Sequence, residues 1–136
     1  MTDEKRKKSL RNWIATAEYD LTTAEHMLTT GRYIYVVFMC HLAIEKTLKA
    51  HVEALEDKLP PKIHDLVTLS DRAALEIPED MNRILLELNK VSVPTRYPED
   101  LQNSLAQFTN EYCSRIINET RGLLQWLRSH PRFAAL

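Results

Sequence analysis

His41, Glu45 and Lys49 stand four residues apart, the spacing that stacks side chains on one face of a helix. Glu45 before Lys49 is the favoured order for an i, i+4 salt bridge. With His41 at zero on a helical wheel, Glu45 falls at about 40° and Lys49 at about 80°, beside the apolar Ile34 and Val52 at roughly 20°. The trio therefore borders a core and not a purely solvated face. His and Glu one turn apart can form half of a metal site, for which His64 and Asp65 are the nearby ligands by spacing. The alternative is an ion pair beside a hydrogen-bonded histidine at the edge of the core. No four-ligand set is spelled out, so no metal is expected, and chelation should leave folding intact.

A second constellation is Arg96-Tyr97-Pro98, a donor fork, a phenol and a rigid turn directly before a helix N-terminus. An arginine there can hold a carboxylate or phosphate through two parallel hydrogen bonds, helped by the helix dipole. Alternatively, Arg96 tethers its loop to a core-edge carboxylate such as Glu45. Nucleophilic catalysis has little support. Cys40 adjoins His41, but neighbouring helical side chains point about 100° apart. The chain holds two glycines, Gly31 and Gly122, too few for a nucleophile elbow or a phosphate-cradling loop.

Helices must position these groups. Leu10, Trp13, Ile14, Ala17, Leu21, Ala24 and Leu28 form one stripe, which predicts a helix over 9–30 with Ser9 as N-cap and Gly31 just past its end. Residues 33–57 begin as YIYVVFMC and continue as HLAIEKTLKAHVEAL without a breaker. That pattern predicts one long helix, apolar nearly all round and then amphipathic, in the centre of a bundle. Pro60-Pro61 ends it. A short helix is expected over 64–74, and another from Pro78-Glu79-Asp80 carrying Met81, Ile84, Leu85 and Leu88. Residues 91–98 read as a loop. One last helix is expected from 100 to 129, with Leu101, Leu105, Phe108, Tyr112, Ile116, Leu123 and Leu127 inward and Gly122 at a close helix crossing.

The expected fold is an all-α, antiparallel, up-and-down bundle of four to five helices in a single domain over 1–136, its ordered core about 9–130. The chain has 136 residues, net charge -1, 44% hydrophobic and 27% charged residues. That balance excludes a disordered chain and gives no bulk steering onto nucleic acid. The basic head of Lys5, Arg6, Lys7, Lys8 and Arg11, and the later Arg115, Arg121, Arg128 and Arg132, read as solvated helix faces. No apolar run is long enough to span a membrane, and the N-terminus lacks the features of a secretory signal. Cys40 and Cys113, without a CxxC pair, read as buried reduced thiols of a cytoplasmic protein. Tyr33, Tyr35, Met39, Trp126, Pro131 and Phe133 exceed what a one-sided core needs, which points to a homodimer.

Asp20-Leu21, Gly31-Arg32-Tyr33, AIEKTLKA at 43–50, His64-Asp65-Leu66 and TRYP at 95–98 follow one another in order. Together they resemble the HEPN domain, named for nucleotide binding in higher eukaryotes and prokaryotes, over nearly the whole chain. The resemblance implies an up-and-down bundle that is commonly a homodimer. It also implies a minimal nucleotidyltransferase as partner, in a two-component or toxin–antitoxin module. Asp20, Glu45, Lys46, Lys49, His64, Arg96 and Tyr97 match family positions thought to surround a groove for a nucleotide or an RNA end. On that analogy Lys46, Lys49 and Arg96 meet phosphates, His64 and Tyr97 position a base or sugar, and Glu45 orients the cations. RNase members of the wider superfamily carry Arg, four to six residues, then His. Here Arg32–His41 and Arg121–His130 each enclose eight residues, so the chain looks closer to the branch with the RYP loop. The expected function is therefore a nucleotide-binding or accessory protein and not an enzyme. The alternatives are an RNase toxin using His64 and Arg96 across a dimer, and a structural partner without a ligand.

Overall fold

The computed structural model describes residues 2–136 and contains six α-helices and a closing 3-10 turn: α1 (Asp3–Thr29), α2 (Tyr33–Glu56), α3 (Leu66–Arg72), α4 (Glu79–Arg96), α5 (Leu101–Gln107), α6 (Asn110–Arg128) and Pro131–Phe133. The chain is an all-α bundle, as expected, with α2 at its centre, packed by α1, α3, α4 and α6. Ile34, Val37, Ile44, Leu48 and Val52 of α2 are buried against Leu85 and Leu88 of α4 and Ile116, Leu123 and Leu127 of α6. The apolar sequence of α2 thus has a direct cause: neighbours surround it.

Helix α1 begins six residues before the expected start. Its N-cap is Thr2, whose hydroxyl accepts from the Lys5 amide at 3.2 Å, with Asp3 and Glu4 favourably placed in the first turn. Ser9 is not a cap; its hydroxyl donates instead to Glu53 at 3.1 Å. At the other end Gly31, with φ +77°, closes a Schellman turn in which the Gly31 amide donates to Leu28 and the Arg32 amide to Met27.

Two further boundaries differ from the sequence expectation. Residues 91–98 are not all loop, because α4 runs through Pro94 to Arg96. A proline one turn from a helix end sacrifices a single hydrogen bond, that to the Lys90 carbonyl. Beyond it the Tyr97 amide donates to Val93, and the buried Thr95 hydroxyl lies within hydrogen-bond reach of the Val91 and Ser92 carbonyls. The last helix is two: Phe108 is buried and Thr109 caps α6 through the Tyr112 amide, so the axis breaks between them. Leu101 and Leu105 consequently stand exposed on α5, which buries none of its residues. Gly122 marks no close crossing, since an added Cβ would meet nothing within 4 Å.

Candidate functional site

Glu45 is 4% exposed and sits at the junction of α2, the turn before α3, and the last turn of α4. The Lys49 ammonium donates to its Oε2 at 3.1 Å. The Nδ1 of His64, a residue 62% exposed in its side chain, lies 3.0 Å from the same oxygen. Arg96 Nη2 lies 3.8 Å from Oε1, and His41 Nδ1 lies 3.7 Å from it. One buried carboxylate therefore faces two permanent cations and two imidazoles.

These contacts are unequal. Lys49 is one helical turn from Glu45 and hydrogen-bonded to it, as its spacing implied. Arg96 is too far to hydrogen-bond, and its Nη2 is buried with no hydrogen-bond partner. Its guanidinium lies over the Phe38 ring, 4.9 Å from the centroid. His41 is also without a hydrogen bond at either ring nitrogen. Burial, opposed in part by Glu45, pushes its pKa down to about 4, so the ring is neutral at pH 7. The expectation of a hydrogen-bonded His41 at the bundle edge is corrected: the ring is inside and unpartnered.

The turn that presents His64 is itself anchored. The Asp65 carboxylate caps α3 by accepting from the Thr68 amide at 2.8 Å, and Asn89 of α4 donates to its other oxygen at 3.2 Å. Asn89 also accepts from the Leu66 amide at 2.8 Å. The Thr68 and Asn89 contacts hold the Asp65 carboxyl below the usual carboxylate range.

Around Arg96 lie two adjoining cavities. One, of about 200 Å³, is walled by Tyr35, Phe38, Thr95, Arg96 and Tyr97. The other, of about 330 Å³, shares Tyr35, Thr95 and Arg96 and extends under α5 to Leu101 and Leu105. Tyr97 is 75% exposed and stands at the rim of the first.

Of the seven positions matched in the sequence, four converge here: Glu45, Lys49, His64 and Arg96. Tyr97 adjoins them through the smaller cavity. Asp20 and Lys46 do not belong to the cluster. Lys46 points from the neighbouring face of α2 toward α1, where its ammonium lies 2.7 Å from Asp20. A 100° step from Glu45 to Lys46 makes that separation unavoidable. Phe38 and Asn89 complete the site without any sequence signal of a role, while Thr95 opens the TRYP stretch and Tyr35 was expected at a dimer surface.

Other charged groups are tied up elsewhere. Arg6, from the basic head, is buried against the fully buried Glu53 at 3.3 Å and pairs with Asp57 at 2.9 Å. Arg115 pairs with Glu87 at 2.8 Å, Arg121 with Glu25, and Arg128 with Glu18. Arg132 donates to the Ala73 carbonyl at 2.8 Å and fastens the C-terminal turn over His51, whose Nε2 donates to Leu127 at 2.8 Å. Arg6 and Arg132 are thus structural, whereas Arg115, Arg121 and Arg128 form pairs on exposed helix faces, and Lys5, Lys8 and Arg11 are exposed as expected. A cavity of about 380 Å³ lies between α1 and α6, yet the Arg121 and Arg128 pairs flank it and it lies on the opposite face of α2 from Glu45. Phe133, expected as surplus surface, is buried, and Tyr33, Met39 and Trp126 pack against the core. Cys40 and Cys113 are free and buried, and burial pushes their thiols up to about 12 and about 11. Among the described residues no helix is long and apolar enough to cross a membrane.

The fold is a small all-α bundle whose central helix carries a buried carboxylate facing Lys49 and Arg96. Residues 10–130 match the HEPN domain, and the chain belongs to that family. Two crystal structures share the fold. TT1696 from Thermus thermophilus is 23% identical, with a TM-score of 0.72 over 88% of this chain and 95% of that one. ST0689, described as an archaeal HEPN homologue, is 24% identical, with a TM-score of 0.70 over 88% of this chain and 94% of that one. No curated protein matches the chain.

Proposed function

We propose that the protein is a non-catalytic HEPN-type binder of nucleotides, with its anion subsite at Arg96. The observation that carries this reading is the state of the guanidinium. Arg96 is held over Phe38 and drawn toward Glu45, yet its buried Nη2 lacks an acceptor. That nitrogen faces Glu45 inside the protein, while the other N–H groups of the guanidinium carry no hydrogen bond among the described residues and are the ones that can donate to a phosphate oxygen. Lys49 and Arg96 together exceed the single charge of Glu45, so the cluster has positive charge to spare for an anion. Tyr35 and Tyr97 offer aromatic side chains beside it, the kind of surface on which a base stacks. His64 and Lys49 lie on the Glu45 side of Arg96, outside the lining of both cavities, and Glu45 orients the cations.

In this reading the protein works in the cytoplasm as a homodimer with a minimal nucleotidyltransferase, in a two-component, toxin–antitoxin-like module. The family resemblance supports that context. A nucleotidyltransferase reading frame beside the gene, and a complex of the two products on size exclusion, would be the corresponding result. The binding claim is tested by calorimetric titration of the wild type and Arg96→Ala with AMP and ATP. The variant should stay folded and lose at least about tenfold in affinity, the effect of one charge-assisted phosphate contact. Equal affinity in the two proteins, or no binding by the wild type, would contradict it.

A further inference from the structure

We infer that residues 130–136 form an acid-labile clasp: His51 and His130 accept two of the hydrogen bonds that hold Arg132, and protonating them frees the turn from the apolar cluster under Phe133.

His51 is fully buried in α2, with both ring nitrogens engaged. Its Nε2 lies 2.8 Å from the Leu127 carbonyl, which can only accept, and its Nδ1 lies 3.2 Å from Arg132 Nη1, which can only donate. The two neighbours fix one neutral tautomer, protonated at Nε2. A second proton could go only on Nδ1, where it would displace Arg132 and set two cations side by side. His130 is placed in the same way, since its Nδ1 accepts from the Arg132 amide at 3.0 Å and caps the 3-10 turn. Two imidazole nitrogens therefore hold one arginine, by its side chain and by its backbone. The rings also touch: the His51 centroid is 5.2 Å from that of His130 and 4.2 Å from that of Phe133.

Nothing offsets an added charge. Among the described residues no carboxylate pairs with His51, His130 or Arg132, and the charged groups acting on His51 are Arg132 and His130 themselves. Helix α6 presents the Leu127 carbonyl, α3 ends at the Ala73 carbonyl that Arg132 also binds, and α1 brings Leu10, Trp13 and Ile14 to the cluster around Phe133. Glu53 is committed to Arg6, Ser9 and Trp13, and Glu56 to Arg72. Burial, opposed by the Leu127 bond and reinforced by Arg132 and His130, pushes the His51 pKa down to about 4. Burial and Arg132 push that of His130 down as well. Released rings return toward 6.5 and bind protons first, so opening is favoured as pH falls below 6.5. His51 alone should raise the opening equilibrium about 30-fold between pH 7.5 and pH 5. Opening lifts Phe133 from Leu10, Ile14 and Ala50 and removes a wall of the cavity of about 300 Å³ that it lines with Leu136.

The experiment is native-state hydrogen exchange by NMR, corrected for the intrinsic rate at each pH. The Phe133, Ala134 and Leu136 amides donate to the His130, Pro131 and Phe133 carbonyls and report the turn. Their protection should fall about 30-fold from pH 7.5 to pH 5, and low urea should leave it unchanged, as for a local opening. His51→Gln can still donate to Leu127 and accept from Arg132, and should cut the fall to the part that His130 carries. His130→Asn retains a cap acceptor and gives a second reading if the buried substitution unfolds the chain; it too should make the fall smaller. Protection independent of pH in the wild type would overturn the inference. So would a fall undiminished in the variants, or exchange as steeply dependent on urea as that of the α2 amides, which would make the turn part of the global unfolding unit.

Discussion

Replacing Glu45 by glutamine keeps its shape and removes the charge on which the cluster converges. At an effective dielectric of 20, unit charges at the Lys49 and Arg96 separations attract by about 5 and about 4 kcal/mol. Distance therefore hardly distinguishes the two pairs. Hydrogen bonding and solvent do. Lys49 is 10% exposed and hydrogen-bonded, whereas Arg96 is 24% exposed, has no hydrogen bond to Glu45 and can redistribute over Phe38. Glu45→Gln should cost about 3–5 kcal/mol, the usual result of leaving a buried cation without its partner. Arg96→Ala should cost about 1 kcal/mol, most of it lost contact with Phe38. In double-mutant cycles by urea unfolding, Glu45 and Lys49 should couple by about 2–3 kcal/mol, and Glu45 and Arg96 by less than about 1 kcal/mol. A Glu45–Arg96 coupling as large as that of Glu45 and Lys49 would refute the reasoning, and would make Arg96 a structural tether. So would a Glu45→Gln variant as stable as the wild type.

Two other predictions concern the fold. Gly122→Ala should stabilise the protein by about 0.5–1 kcal/mol in urea unfolding, because the position is inside α6 and a Cβ there meets nothing within 4 Å. Acid should destabilise through His41 and His51, whose pKa values burial pushes down to about 4 from 6.5. The unfolded chain binds these protons first, so their contribution is complete above pH 6.5 and is lost as pH falls toward 4. At pH 5 each should contribute about 2 kcal/mol less than at pH 7.5, visible in the urea midpoint, and His51→Gln should flatten that dependence.

The sequence was most informative where one physical rule acted alone. Apolar periodicity marked α1 and α2, and the double proline marked the end of α2. The spacing of Glu45 and Lys49 gave their ion pair directly, because i, i+4 geometry needs no tertiary information. Boundaries were less legible where two rules competed. Pro94 reads as a helix stop, but a buried Thr95 and the closing Tyr97 amide carry the turn past it. Leu101 and Leu105 continue the stripe of α6 in sequence, yet the cap at Thr109 breaks the axis and leaves them outside. The arrival of His64 and Arg96 at one carboxylate depends on packing among three helices, which spacing cannot supply. The resemblance suggested their company, and also suggested that of Lys46, which the helix rotates toward Asp20. Nothing in the residue order singles out Phe38 or Asn89, since their roles exist only once α2, α3 and α4 have met.

The anion subsite proposed at Arg96 has a direct residue-level test. Titrating isotopically labelled protein with AMP should shift the amide resonances of Tyr35, Phe38, Thr95, Arg96 and Tyr97, together with the Arg96 Nε signal, along one saturating curve. Arg121 and Arg128, which flank the roomier cavity between α1 and α6, should stay unmoved. Shifts confined to those two arginines and their neighbours, or no saturable shift at Arg96, would contradict the assignment of the subsite.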